Sequence, residues 1–169
     1  AMSIINSDAR LTNMIVDSNQ AGYYGGGIYV YYSTVEMDSM NIIRNYTQYS
    51  SGAGGIHFYS DGSGNDSVQI SNSYIKHNVC GGNGGGIYNS AGLMIIENTK
   101  IDSNSAETRG GGLYSTNGAT IEIYESSLVG NIITNDNGGG VYVDNGGLHV
   151  ENSIIQKNYA SNNGGGVYA

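Results

Sequence analysis

A five-residue phrase, Gly/Ala-Gly-Gly-aliphatic-Tyr/His, occurs six times in this chain, starting at Gly25, Ala53, Gly84, Gly110, Gly138 and Gly164. Successive starts lie 28, 31, 26, 28 and 26 residues apart. A second phrase, aliphatic-x-x-Asn, precedes every copy: Val16 to Asn19, Ile42 to Asn45, Ile75 to Asn78, Ile101 to Asn104, Leu128 to Asn131 and Ile155 to Asn158. A fixed period of this length marks stacked supersecondary units, each too small to bury its own apolar face.

Between the two phrases runs an alternating stretch: Val35-Glu36-Met37, Val68-Gln69-Ile70, Met94-Ile95-Ile96, Ile121-Glu122-Ile123 and Leu148-His149-Val150. Period-two alternation is the signature of a half-buried strand. No capped 3.6-residue periodicity interrupts it. Each unit therefore holds three short strands, with Asn, Ser and Gly at the corners. Strands that pair with their own equivalents one turn above and below make an all-β, single-stranded parallel β-helix, or β-solenoid, of about six rungs, here read as one domain over residues 1–169. A leucine-rich repeat has similar spacing but needs Leu five residues before the Asn. That column reads Met14, Met40, Ser73, Thr99, Ser126 and Ser153.

Stacking assigns each column a task. The ends of the alternating strands, the aliphatic of aliphatic-x-x-Asn, and Ile28, Ile56, Ile87, Leu113, Val141 and Val167 are expected to face inward. Asn19, Asn45, Asn78, Asn104, Asn131 and Asn158 are expected to form a ladder of side-chain amides, because an inward Asn is tolerated only when bonded. Ala21, Cys80, Ala106 and Ala160 read as small corner residues, with Cys80 a packed thiol. The Gly triplets are expected to turn with positive φ and to let rungs approach closely. A phosphate-cradling reading of those triplets fails, since no Lys-Ser/Thr and no helix follows them.

Composition excludes several function classes. A net charge of −8 with only 6 Lys plus Arg argues against nucleic acid and anionic membrane as partners. There is no apolar run long enough to insert into a membrane, and no basic-then-apolar signal pattern at the N-terminus, so any targeting segment is expected to have been removed or to lie outside these residues. One Cys gives no internal disulfide framework. No residue pattern calls for a cofactor or a metal.

An enzyme on this scaffold needs grouped carboxylates. Outward columns on the alternating strand read Glu36, Gln69, Ile95, Glu122, His149 and Asp38, Ser71, Glu97, Tyr124, Glu151, so no two carboxylates share a column in adjacent rungs. The best diagonal pair is Glu97 with Glu122, about 8 Å apart from strand and rung spacings, with nothing expected to orient it. No catalysis is therefore expected. More specific is the column Tyr29, His57, Tyr88, Tyr114, Tyr142 and Tyr168, expected to face out as an aromatic ladder that either stabilises the sheet or contacts a sugar chain or another solenoid.

Two stretches lengthen the second rung: "TQYSS" after Asn45 and "SDGSGNDS", Ser60 to Ser67, read as a loop thrown off the coil. Two glycosylation sequons occur. Asn45 is expected to be unavailable inside the ladder, which leaves Asn65 in the extruded loop as the candidate.

The repeated aliphatic-x-x-Asn and Gly-Gly-Ala/Gly-aliphatic phrases resemble those of polymorphic outer-membrane proteins and related bacterial surface adhesins, over nearly the whole chain. Here Ile, Val or Leu stands where that family favours Phe, the second phrase is mostly Gly-Gly-Gly, and no membrane barrel follows. The resemblance, with the general preference for right-handed crossovers, implies a right-handed coil on a cell surface. The chain also closes on a copy of itself in register: Gly25 of a second copy would follow Gly164 of the first by 30 residues, close to the internal spacing. The expectation is a structural or adhesive extracellular protein, open at both ends. It either stacks head to tail with copies of itself or belongs to a longer solenoid, and glycans are its candidate ligands. The alternative is a carbohydrate-active enzyme or polysaccharide-binding β-helix.

Overall fold

The strand-forming columns coil into a parallel β-helix in the computed structural model, which describes residues 1–169 and contains no helix. The fourth rung shows the pattern. Ile87–Ser90, Leu93–Glu97, Lys100–Asp102 and Ser105–Ala106 follow one another around the coil, and each pairs in parallel with its equivalents in the rungs before and after. Four sheets result, of seven, six, six and five strands, called first to fourth below in chain order around a rung. The fourth sheet adds a two-residue strand to the three expected. Cys80 and Ala106 lie in it with Thr47 and Ile133, so this column turns no corner; these four face inward in a short strand, at most 2% exposed, while Ala21 and Ala160 at the two ends are half-buried.

The corners belong to the residues between strands. From second to third sheet the chain passes through Asn13, Ser39, Asn72, Asn98, Glu125 and Asn152, all with φ between +44° and +56°. From third to fourth it passes through Ser18, Arg44, His77, Ser103, Gly130 and Lys157, again in the left-handed region. A single left-handed residue costs little for Asn or Gly, which fill five of these twelve corners. It turns the chain sharply without breaking the ladder on either side.

The second of these corners aims the next residue, always Asn, into the coil. Asn19, Asn45, Asn78, Asn104 and Asn131 each donate from Nδ2 to Oδ1 of the Asn one rung on, at 3.0 Å, ending on Asn158. The same Oδ1 also accepts the preceding Asn's backbone N–H. The second Nδ2 proton reaches back to a third-sheet carbonyl, as Asn104 does to Ile75 at 2.9 Å. Each interior amide is therefore satisfied although fully buried. The column that excluded a leucine-rich repeat forms a second ladder, with Met40 N–H bonding to Ser73 Oγ, Ser73 N–H to Thr99 Oγ1 and Thr99 N–H to Ser126 Oγ.

The Gly triplets divide their work. Positive φ occurs at the first position only, and only in Gly84, Gly110, Gly138 and Gly164; Ala53 fills that position in another rung. At the second and third positions the need is space. A Cβ on Gly112 would lie 2.6 Å from the Gly140 carbonyl oxygen and 3.0 Å from the Asn131 amide. The triplet thus lets the first sheet start against the Asn ladder.

Inside, 23 buried residues form one continuous apolar column. Every expected inward aliphatic from Ile28 to Val141 is fully buried. Val150 and Val167 keep the inward register but are 37% and 38% exposed, because no further rung covers them. A second inward column of the first sheet, Val30, Phe58, Asn89, Ser115 and Val143, holds two fully buried polar side chains, Asn89 and Ser115, without hydrogen-bond partners.

The Asn ladder makes a quantitative demand. Replacing Asn104 by Ala strips the acceptor from both Asn78 donors, and unsatisfied buried groups cost about 1–3 kcal/mol each. Urea denaturation of Asn104→Ala is expected to show a loss of roughly 2–4 kcal/mol, against a much smaller loss for Asn19→Ala, whose side chain only donates at the edge of the ladder.

Candidate functional site

The aromatic column does point away from the apolar core, but it is not an exposed ladder. His57 is 2% exposed, Tyr88 8%, Tyr114 3% and Tyr142 8%. Tyr29 is half-buried, and only Tyr168, in the last rung, is open. Outward-facing residues are wet only if nothing lies beside the sheet. Here the turns that follow the fourth sheet fold back over the column, a cover that alternation within a strand does not reveal.

That cover differs along the coil. Over the later rungs it is closed: Arg109 sits 5.3 Å from the Tyr142 ring, and its guanidinium pairs with Asp136 and Asp144 at 3.4 Å each. Arg109 also donates to the Tyr114 hydroxyl at 3.5 Å. Over the earlier rungs the cover is itself aromatic. Tyr24, from the Gly-rich turn, stacks on Tyr29 with centroids 4.7 Å apart, and Tyr49, from the insertion in the second rung, meets Tyr24 edge-on at 5.6 Å. On the other side, Tyr31 and Tyr59 stack at 5.3 Å and Tyr32 packs against both.

Between these two groups lies a cleft of about 360 Å³, within the size range of small-ligand pockets. Its floor is His57, stacked nearly parallel on Tyr88 at 4.5 Å. Its rim includes Ser51, Ser90 and Asn117, the last donating to Ser90 Oγ at 2.9 Å. No carboxylate, Lys or Arg lines it. Burial pushes the His57 imidazole down to about 3, so it is neutral at pH 7, and neither ring nitrogen has a hydrogen-bond partner. Burial likewise raises the Tyr88 phenol, to about 12.

Alternation and column alignment drew attention to Tyr29, His57 and Tyr88 but missed Tyr24, Tyr31, Tyr32, Tyr49 and Tyr59. Tyr31 and Tyr59 were in principle legible, two residues on from Tyr29 and His57 on the same face. Tyr49 was not, because its place depends on how an insertion folds back.

The carboxylates of the second sheet lie elsewhere, and all but Glu97 have a side-chain partner. Glu122 accepts from the Tyr124 hydroxyl at 3.1 Å, and Glu151 lies 3.5 Å from His149. Asp38 accepts from Asn72, Ser71 and Ser39, and these bonds hold its carboxyl below the usual range. Glu97 pairs in register with Tyr124, and Glu122 with Ile95. The described residues contain no cluster of His, Cys, Asp and Glu that could hold a metal.

Cys80 is buried in the fourth sheet, where its thiol donates to the Gly52 carbonyl and burial pushes it up to about 12. Asn45 is fully buried, whereas Asn65 is exposed on a loop tied back by Ser60 Oγ donating to Asp66 at 2.9 Å.

The parallel pairing of all four sheets, and the ladder in every rung, agree with what a comparison with protein families finds: a right handed beta helix region matched over residues 3–169. The chain belongs to the right-handed β-helix family. No curated protein and no solved structure matches it. No helix is long and apolar enough to cross a membrane.

Burial of His57 carries a pH signature. In the unfolded chain its ordinary value is near 6.5, so between about 3 and 6.5 the unfolded state binds a proton that the folded state refuses. Stability should therefore rise with pH across that window. Below about 4 the carboxylates add to the same trend. Chemical denaturation between pH 4 and 6.5 is expected to show a positive slope that His57→Phe removes; an unchanged slope in the variant would place the effect on other groups.

Proposed function

We propose that this β-helix is a structural and adhesive section of an extracellular surface protein, working by contact rather than by bond breaking. The observation that carries the reading is the cleft of the early rungs. It offers ring faces, hydroxyls and a neutral imidazole, a set suited to holding a ligand, and no acid/base pair suited to cleaving one. The resemblance to surface adhesins supports the same reading. So does the engagement of Glu122 with Tyr124, which ties up one member of the diagonal carboxylate pair.

A carbohydrate-active enzyme is the second reading, resting on the Glu97–Glu122 diagonal. The two are separated by incubating the purified chain with insoluble cell-wall polysaccharide. Retention on the polymer without new reducing ends or unsaturated products is the expected outcome. Turnover that disappears in Glu97→Gln and Glu122→Gln would replace the adhesive reading with the enzymatic one.

The rod itself is the structural half of the proposal. Val150 and Val167 present apolar surface in the register that another rung would use. Further rungs of the same protein, or a second copy, would cover it. If copies stack, negative-stain electron microscopy will show filaments with an axial repeat near 29 Å, six rungs of about 4.8 Å. Single short rods would favour a longer chain as the source of the covering rungs.

A further inference from the structure

We propose that the aromatic cleft of the early rungs binds a neutral saccharide, stacked on tyrosine rings and hydrogen-bonded to His57, Ser51, Ser90 and Asn117. This deepens the adhesive reading and rests on it.

Three features of the cleft point to this chemistry. First, its walls alternate ring faces with hydroxyls. A sugar ring offers the complement, a C–H face that packs on an aromatic ring and hydroxyls around its edge. Second, the site carries no charge. With no Lys, Arg, Asp or Glu in its lining and a protein charge of −8, nothing offsets the cost of bringing an acidic ligand near, so a uronate or sulfated sugar is disfavoured. Third, His57 is buried with both ring nitrogens unpaired. A neutral imidazole has one donor and one acceptor, and a sugar hydroxyl can satisfy either. An unpaired buried polar group is costly by itself, and a ligand that pairs it recovers that cost on binding.

The ligand must first displace a ring. The His57 nitrogens are shielded, and the Tyr24 ring lies edge-on to the imidazole with centroids 5.2 Å apart. Tyr24 is 41% exposed in the Gly-rich turn, and in the proposed complex it swings aside and leaves its stacking place on Tyr29 to the sugar. A peptide is a poorer occupant. It would bind by adding a strand to a sheet edge, and the cleft lies on a sheet face where the backbone is already paired above and below.

The test is titration of the intact chain with cellohexaose and mannohexaose, and with hexagalacturonate as the charged comparison, followed by tyrosine fluorescence and calorimetry. Saturable binding of a neutral hexasaccharide with Kd below about 1 mM, and none of the uronate, is expected. Tyr49→Ala, in a surface turn, should weaken it about tenfold, as the loss of one aromatic stack implies. His57→Phe, which keeps the stack on Tyr88 but removes both nitrogens, should weaken it about fivefold. Tyr74→Ala, an exposed tyrosine on the third sheet, should leave it unchanged. Wild-type affinity in either cleft variant, preference for the uronate, or no binding of either neutral sugar overturns the inference. Retention on cell-wall polymer that survives those results would leave the adhesive reading standing; turnover of the polymer would remove that reading as well.

Discussion

Every rung of this protein is held to the next by an amide that faces the wrong way for a soluble fold. An inward Asn in a narrow apolar coil is destabilising unless each of its donors and acceptors is matched. Six of them at one rung spacing match one another and the backbone beside them. The match fixes register: a slip of one residue would put a neighbour such as Arg44 or Tyr46 in the ladder and leave an amide unpaired. The Gly pair that follows keeps its place because a Cβ on the first would collide with neighbouring backbone carbonyls and one on the second with that ladder as well.

Once register is fixed, every column stacks on its own kind, and the outer face becomes a place where one residue choice is repeated along the axis. On the first sheet that choice is aromatic. Repetition alone yields a packed stack, and over the later rungs, beneath Arg109, it remains one. The early rungs differ because their covering turns carry tyrosines and because an insertion brings Tyr49 alongside. A stabilising column thereby becomes the floor of a cleft. His57 marks the change, standing where most other rungs have Tyr and kept neutral at pH 7 by its burial.

The same stacking separates scaffold from site. Carboxylates scattered over the second sheet never face one another in adjacent rungs, consistent with like-charge avoidance in a parallel stack. All but Glu97 are taken up by neighbouring hydroxyls, amides, an arginine and a histidine. The uncharged cleft on the first sheet is left as the surface most suited to a ligand, and this division underlies the reading of the chain as a contact surface on a rod.

The coil was legible in the amino-acid order: its period, its inward aliphatics, the Asn column and the packed Cys80 thiol, though not the strand that holds it, because in a stacked array each residue's neighbours are its own repeats. That order did not reveal the fourth strand, since two residues are too few to show alternation, nor the Ser/Thr ladder, in which a backbone N–H donates to a side-chain oxygen in the next rung. Only the tertiary structure decided that the outward aromatics are buried and where a cleft remains among them. Those outcomes depend on turns folding back across a sheet face, a contact between segments that share no column and so leave no period in the sequence.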